Sequence, residues 1–162
     1  TISHNKIYCD IVSELEDGKN VAMLTIGDPS VYSTYMYIHK RVMQAGFTAV
    51  MISGVPSFCA AAARLGISLG EMRDEIHIIP ASYDVKDTVG YGGTCVYMKS
   101  GKKLAELIEV LRTESKGGAG AGADMTVYGV TNCGMESERV YRGLDELTKA
   151  KEYLTIVIVK YS

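Results

Sequence analysis

The sequence is notable first for what it does not contain. No apolar run approaches the ~20 residues that a membrane-spanning helix needs, and Thr1-Ile2-Ser3-His4-Asn5-Lys6 lacks the layout of a signal peptide. Neither charge sign dominates: the formal net charge is −2, which argues against a dedicated nucleic-acid binder while leaving room for local basic patches. The four cysteines, Cys9, Cys59, Cys95 and Cys133, are far apart and show no metal-ligand spacing. Reduced thiols in a cytoplasmic protein are the expectation. His4, His39 and His77 are the only imidazoles, and none has a second ligand at helical spacing, so no bound metal is expected. Ser-His-Asp, Cys-His, paired-carboxylate and phosphate-loop signatures are all missing. What remains is a chain of 162 residues, 47% hydrophobic and 22% charged, able to bury a core as one or two small domains.

One stretch organises the rest: Gly27-Asp28-Pro29-Ser30-Val31-Tyr32-Ser33-Thr34. Val21 to Ile26 precedes it, an apolar run of strand length, and Tyr35 to Ala45 follows it with helical spacing. In an open α/β sheet such strand ends form the ligand crevice. Gly27 lets the backbone approach a ligand closely because it has no Cβ. Asp28 suits a helix N-cap and Pro29 the first helical position; capping and ligand binding are compatible roles. The unit repeats. Thr48 to Ser53 is β-rich, Gly54-Val55-Pro56 turns the chain, and Ser57 can cap a helix from Phe58 to Leu65. Two strand–turn–helix units in succession predict a parallel α/β sheet.

Around this pair, Ile7 to Glu16 reads as a helix, and Ile76 to Pro80 as a short strand. The texture then turns polar through Ala81 to Gly93, which sets a domain boundary at about residue 84: residues 1–84 as an N-terminal α/β domain, 85–162 as a second α/β domain. Thr94 to Met98 is a strand, Leu104 to Arg112 a helix, Met125 to Tyr128 and Tyr153 to Val159 strands, and Glu138 to Tyr141 extended. Gly117 to Ala123 is low-complexity, follows a helix rather than a strand, and lacks dinucleotide-binding spacing, so it reads as a surface loop.

Gly27 to Thr34, followed by Gly54-Val55-Pro56-Ser57-Phe58 and an alanine-rich helix, resembles the tetrapyrrole methylase superfamily. The Tyr-Ser-Thr ending and the Ser-Phe pair are most similar to its precorrin-2 and cobalt-precorrin-2 C20-methyltransferase branch. The similarity runs from about Gly18 to the C-terminus. The family begins with a strand and a Gly-x-Gly-Pro-Gly loop; nothing here matches it, so an N-terminally truncated chain is expected. The resemblance implies a two-domain fold, an incomplete parallel sheet followed by a mixed-sheet C-terminal domain.

It also implies S-adenosylmethionine as methyl donor and S-adenosylhomocysteine as product. Methyl transfer from a sulfonium needs no nucleophilic side chain, only alignment of the reacting atoms, which suits a sequence without such signatures. The family's donor-binding pattern falls on Ile26, Gly27, Asp28, Val31, Pro56, Ser57, Met98 and Gly134, although many relatives carry Thr at the position of Pro56. Met98 offers a soft surface for adenine, but core packing is the commoner role of a methionine. Ser57 is most simply a helix cap. Tyr32, Ser33 and Thr34 face the tetrapyrrole or are first-turn polar residues. Lys99, with Lys102, Lys103, Arg139 and Arg142, meets substrate carboxylates or is ordinary surface charge. The acceptor is expected to be an acidic tetrapyrrole rather than RNA, and the assembly a homodimer. Two alternatives stay open: another acceptor within the superfamily (a different tetrapyrrole position, a diphthamide precursor or ribosomal RNA), and a non-catalytic binding or assembly module.

Overall fold

A computed structural model describes residues 2–80, 84–115 and 125–161. The loop expected over Gly117 to Ala123 lies outside them. By packing, the chain forms two units, Thr1–Pro56 and Ser57–Ser162. The change of texture near residue 84 falls inside the second.

The first unit holds two helices, α1 (Ile2–Glu16) and α2 (Tyr35–Gln44). They meet through Arg41, whose guanidinium lies 3.8 Å above the Tyr8 ring and donates to Asn5 Oδ1 at 2.8 Å. Ile38 and Val42, one helical turn apart, form the buried stripe of α2. The runs 21–26 and 48–53, expected as parallel strands, form no strand ladder. Both line one cavity of about 550 Å³ against α1 and α2, yet Leu24, Ile26, Val50 and Ile52 are exposed. The reason is that an apolar run becomes a strand only where neighbours take up its N–H and C=O groups, and no ladder forms along these two.

α2 also begins later than the N-cap pattern suggests. Asp28 does not cap it: six residues separate Asp28 from Tyr35, and Thr34 precedes the helix without a side-chain cap. Asp28 instead accepts from the Ser30 amide at 2.8 Å. This tight Asx turn competes with helix initiation.

The second unit is a five-stranded mixed sheet. Its strands are β1 (Ile76–Pro80), β2 (Thr94–Met98), β3 (Met125–Thr131), β4 (Arg139–Arg142) and β5 (Thr155–Tyr161), in the order β1-β2-β5-β3-β4. Only β1 and β2 pair in parallel; the other three ladders are antiparallel. This agrees with the mixed sheet expected of the C-terminal part. All of β2 and most of β5 are buried, which is why both read as unbroken apolar runs. On one face Cys95, Tyr97, Val157 and Val159 pack with Leu104, Leu107 and Leu111 of α4 (Leu104–Ser115). The alternating residues Val96, Met98, Ile156 and Ile158 are buried on the other face. α3 (Ser57–Leu65) packs on β3 and β5, burying Phe58, Ala61, Ala62 and Leu65. A single turn, α5 (Leu144–Leu147), closes the β4 end and escaped the sequence reading because four residues show no period.

Candidate functional site

In the first unit one carboxylate, that of Asp28, joins the turn at Gly27–Val31 to the turn at Ser53–Gly54. Asp28 is only 8% exposed. Its Oδ1 accepts from the Ser30 amide and the Ser30 hydroxyl. Its Oδ2 accepts from the Ser53 hydroxyl at 2.6 Å and the Gly54 amide at 3.0 Å. The Ser30 hydroxyl first, then that of Ser53, hold the carboxyl far below the usual carboxylate range.

The two turns so joined touch backbone to backbone. A Cβ at Gly54 would collide with the Gly27 carbonyl oxygen. Gly27 itself has φ +83°, and a Cβ there would meet only the Val55 carbonyl oxygen, at 3.8 Å. So glycine is required at 54 for close approach and at 27 for conformation, and the backbone at Gly27 has an open side.

The remaining residues of this turn are placed as follows. Ile26 and Tyr32 are exposed, Val31 and Ser33 half-buried, Thr34 exposed. Tyr32 has φ +48°, rare for a non-glycine residue. The Ser33 hydroxyl lies 3.4 Å from that of Thr25 and accepts from the Tyr35 amide at 3.2 Å. Pro56 and Ser57 are half-buried, and Ser57 is the first residue of α3.

In the second unit, Met98 ends β2 and is 6% exposed, which is a core position. Lys99 follows it with φ +58°, exposed, at the start of a short 3-10 turn. The turn after β3 is built alike. Asn132 has φ +49° and its amide donates to the Leu154 carbonyl at 3.0 Å. Gly134, at φ +79°, has open space where a Cβ would stand, but its amide donates to Glu138 Oε2 at 2.8 Å. The other Glu138 oxygen accepts from Arg64 Nε. The Gly134 amide first, then Arg64, hold the Glu138 carboxyl below its ordinary value. Three of the turns that hold expected site residues thus contain a non-glycine residue in the left-handed region: Tyr32, Lys99 and Asn132. Such conformations persist only where the surroundings over-determine them, and they gather at functional sites.

The sequence reading missed Ser30, Ser53, Gly54, Arg64 and Glu138. An Asp followed two residues later by Ser carries an Asx-turn signal. Ser53, Gly54 and Arg64 act through contacts 25 residues or more apart, or by backbone crowding, for which no local pattern exists, and Glu138 joins such a contact, to Arg64, to one with the Gly134 amide four residues back.

Residues 2–147 match the sequence profile of the family described as Tetrapyrrole (Corrin/Porphyrin) Methylases. The chain belongs to the tetrapyrrole methylase family. A probable cobalt-precorrin-2 C(20)-methyltransferase of Methanocaldococcus jannaschii is 32% identical over 148 residues, covering 90% of this chain and 60% of that protein. The chain therefore spans well under two thirds of that relative's length. Two solved structures share the fold, at 17% and 16% identity in the order given, each over 96% of this chain. A cobalt precorrin-4 methyltransferase matches with a TM-score of 0.79 over 70% of its length. A uroporphyrin-III C-methyltransferase from Thermus thermophilus, complexed with S-adenosylhomocysteine, matches with a TM-score of 0.72 over 72%. Among the described residues no group of His, Cys, Asp and Glu can hold a metal ion, and no helix is long and apolar enough to cross a membrane.

Proposed function

We propose that this chain carries most of the donor-binding part of an S-adenosylmethionine-dependent methyltransferase of cobalamin biosynthesis. Its acceptor is the C20 meso carbon of precorrin-2 or its cobalt form. The electron-rich macrocycle carbon attacks the sulfonium methyl; a C–C bond forms, the C–S bond breaks, and S-adenosylhomocysteine leaves. The carbon later loses a proton.

The observation that carries the reading is the family match over residues 2–147, which includes the turn at Gly27 and the helix that begins at Ser57. The C20 position rests on Tyr32-Ser33-Thr34 and Ser57-Phe58 and is supported by the 32%-identical relative. The residues fit a bound donor in one respect that the geometry supports: Gly27 and Gly134 each offer backbone with room where a side chain would stand. Ile26, Gly27, Val31, Pro56, Ser57 and Gly134 hold the donor. Met98 contributes as the buried end of β2, and Asp28 by the role argued below. Tyr32, Ser33, Thr34 and Lys99 face the tetrapyrrole. A net charge of −2 offers no broad basic face for an RNA backbone, whereas two small basic groups, Lys99 with Lys102 and Lys103, and Arg139 with Arg142, suit the peripheral carboxylates of a compact ligand. A cytoplasmic homodimer completes the proposal.

The test is transfer of labelled methyl from S-adenosylmethionine by the full-length protein, offered precorrin-2, cobalt-precorrin-2 and ribosomal RNA in parallel. Label in one of the tetrapyrroles at C20 is expected. Label in RNA with none in either tetrapyrrole overturns the reading, and label at another carbon overturns the C20 assignment alone.

A further inference from the structure

Asp28 sits in the middle of the expected donor-binding turn, and a carboxylate there invites the role of a direct ligand. The hydrogen bonds argue otherwise. An ionised carboxylate has about four acceptor sites. All are used: two by Ser30, one by Ser53 and one by Gly54. The group is 8% exposed, so little of it remains to meet a ligand. Nor does it cap α2, which starts at Tyr35. Its partners at 53 and 54 belong to the second turn, which presses on Gly27 so closely that only glycine fits at 54.

We propose that Asp28 is a positioning residue: it fastens the Gly27–Val31 turn to the Ser53–Gly54 turn and acts on the methyl donor only through the backbone it holds. The proposal rests on the methyltransferase reading for its consequence, though not for the existence of the brace. Ser53 is then part of the same device, because its hydroxyl is one end of the brace. Loss of either end releases the same two turns, so their effects on donor affinity overlap. A direct ligand behaves differently. Its removal costs affinity whatever Ser53 does.

The experiment is a double-mutant cycle on the full-length protein, read by calorimetric titration with S-adenosylhomocysteine. Asp28→Asn and Ser53→Ala should each weaken binding by about tenfold, the scale of one hydrogen bond to a charged group. The double variant should fall within about twofold of Asp28→Asn alone. If Ser53→Ala binds like wild type while Asp28→Asn loses affinity, or if the two losses multiply, Asp28 is a ligand and the proposal fails. A second readout needs no donor. The Gly54 amide should exchange with solvent about tenfold faster in Asp28→Asn than in wild type. Equal exchange rates remove the brace. Should wild-type protein fail to bind S-adenosylhomocysteine while the Gly54 amide responds as expected, the methyltransferase reading falls and the brace stands.

Discussion

Gly54→Ala adds one methyl group at the point where two turns meet, and its consequence can be worked from the structure. The new Cβ would collide with the carbonyl oxygen of Gly27, with further contacts to the Gly27 carbonyl carbon at 3.1 Å and Asp28 Cα at 3.6 Å. These are backbone atoms, so no flexible side-chain end can swing away. Either the turn at 53–55 retreats or the turn at 27–28 does, and the Gly54 amide then leaves Asp28 Oδ2. Overpacking of this kind costs about 1–3 kcal/mol. For a chain of this size a loss of about 2 kcal/mol lowers the melting temperature by about 4–8 °C. Gly27→Ala is the control. There the added Cβ has room, and the cost is the left-handed φ alone, about 1–2 kcal/mol. Paired thermal melts followed by circular dichroism, with the Gly54 and Ser30 amides monitored by hydrogen exchange, test the contrast. Gly54→Ala should melt lower than wild type and deprotect both amides; Gly27→Ala should leave the Gly54 amide protected. A Gly54→Ala protein that melts within a degree of wild type would refute the reasoning, because the two backbones could not then be in contact.

Two further predictions concern the second unit. Burial, and then the charge of Glu114, push the Cys95 thiol up to about 11; alkylation of the native protein at pH 8 should label the exposed Cys9 and Cys59 and spare Cys95 until the protein unfolds, as peptide mapping would report. Glu138 has a depressed folded-state value, so its contribution is present above the ordinary carboxyl range and is lost as pH falls through the folded value. Urea midpoints measured from pH 7 to pH 3 should therefore fall less steeply for Glu138→Gln than for wild type, and parallel slopes would refute the Glu138–Gly134 contact.

Much of the second unit was legible because its signals are local and apolar. β2 and β5 are buried on both faces, so each appears as a run of β-formers, and α4 shows Leu104, Leu107, Ile108 and Leu111 at helical spacing. The order of the strands was not legible. β5 lies between β2 and β3 although it is last in the chain, and nothing local to Thr155–Tyr161 encodes that. The first unit shows the opposite case. Val21 to Ile26 has a strand's composition, but a strand is a relation between segments, and no ladder forms there. The helix from Tyr35 was legible, but the capping role expected of Asp28 fails for a related reason. Asp28 and Pro29 satisfy every local rule for a helix N-terminus, yet the carboxylate is engaged by Ser30 and by Ser53 and Gly54, 25 and 26 residues on. A capping propensity of about 1 kcal/mol is outweighed when the same oxygen atoms can make four bonds elsewhere.

This difference bears on how donor-binding residues are recognised in such turns. A motif identifies positions and cannot say whether a side chain or the backbone is used at each. Here one carboxylate holds backbone in each of two candidate turns: Asp28 holds the amides of Ser30 and Gly54, and Glu138 holds that of Gly134. Each fixes a turn that contains, or lies next to, a left-handed residue, Tyr32 in one case and Asn132 in the other. The strain of those residues needs an anchor, and an ionised carboxylate accepting from backbone amides is a strong one. A reaction that depends on alignment more than on a nucleophile places its demands on the stiffness of such turns, since small misplacements of the reacting atoms are costly in rate. Asp28 and Glu138 are thus the parts that hold the backbone of these turns still.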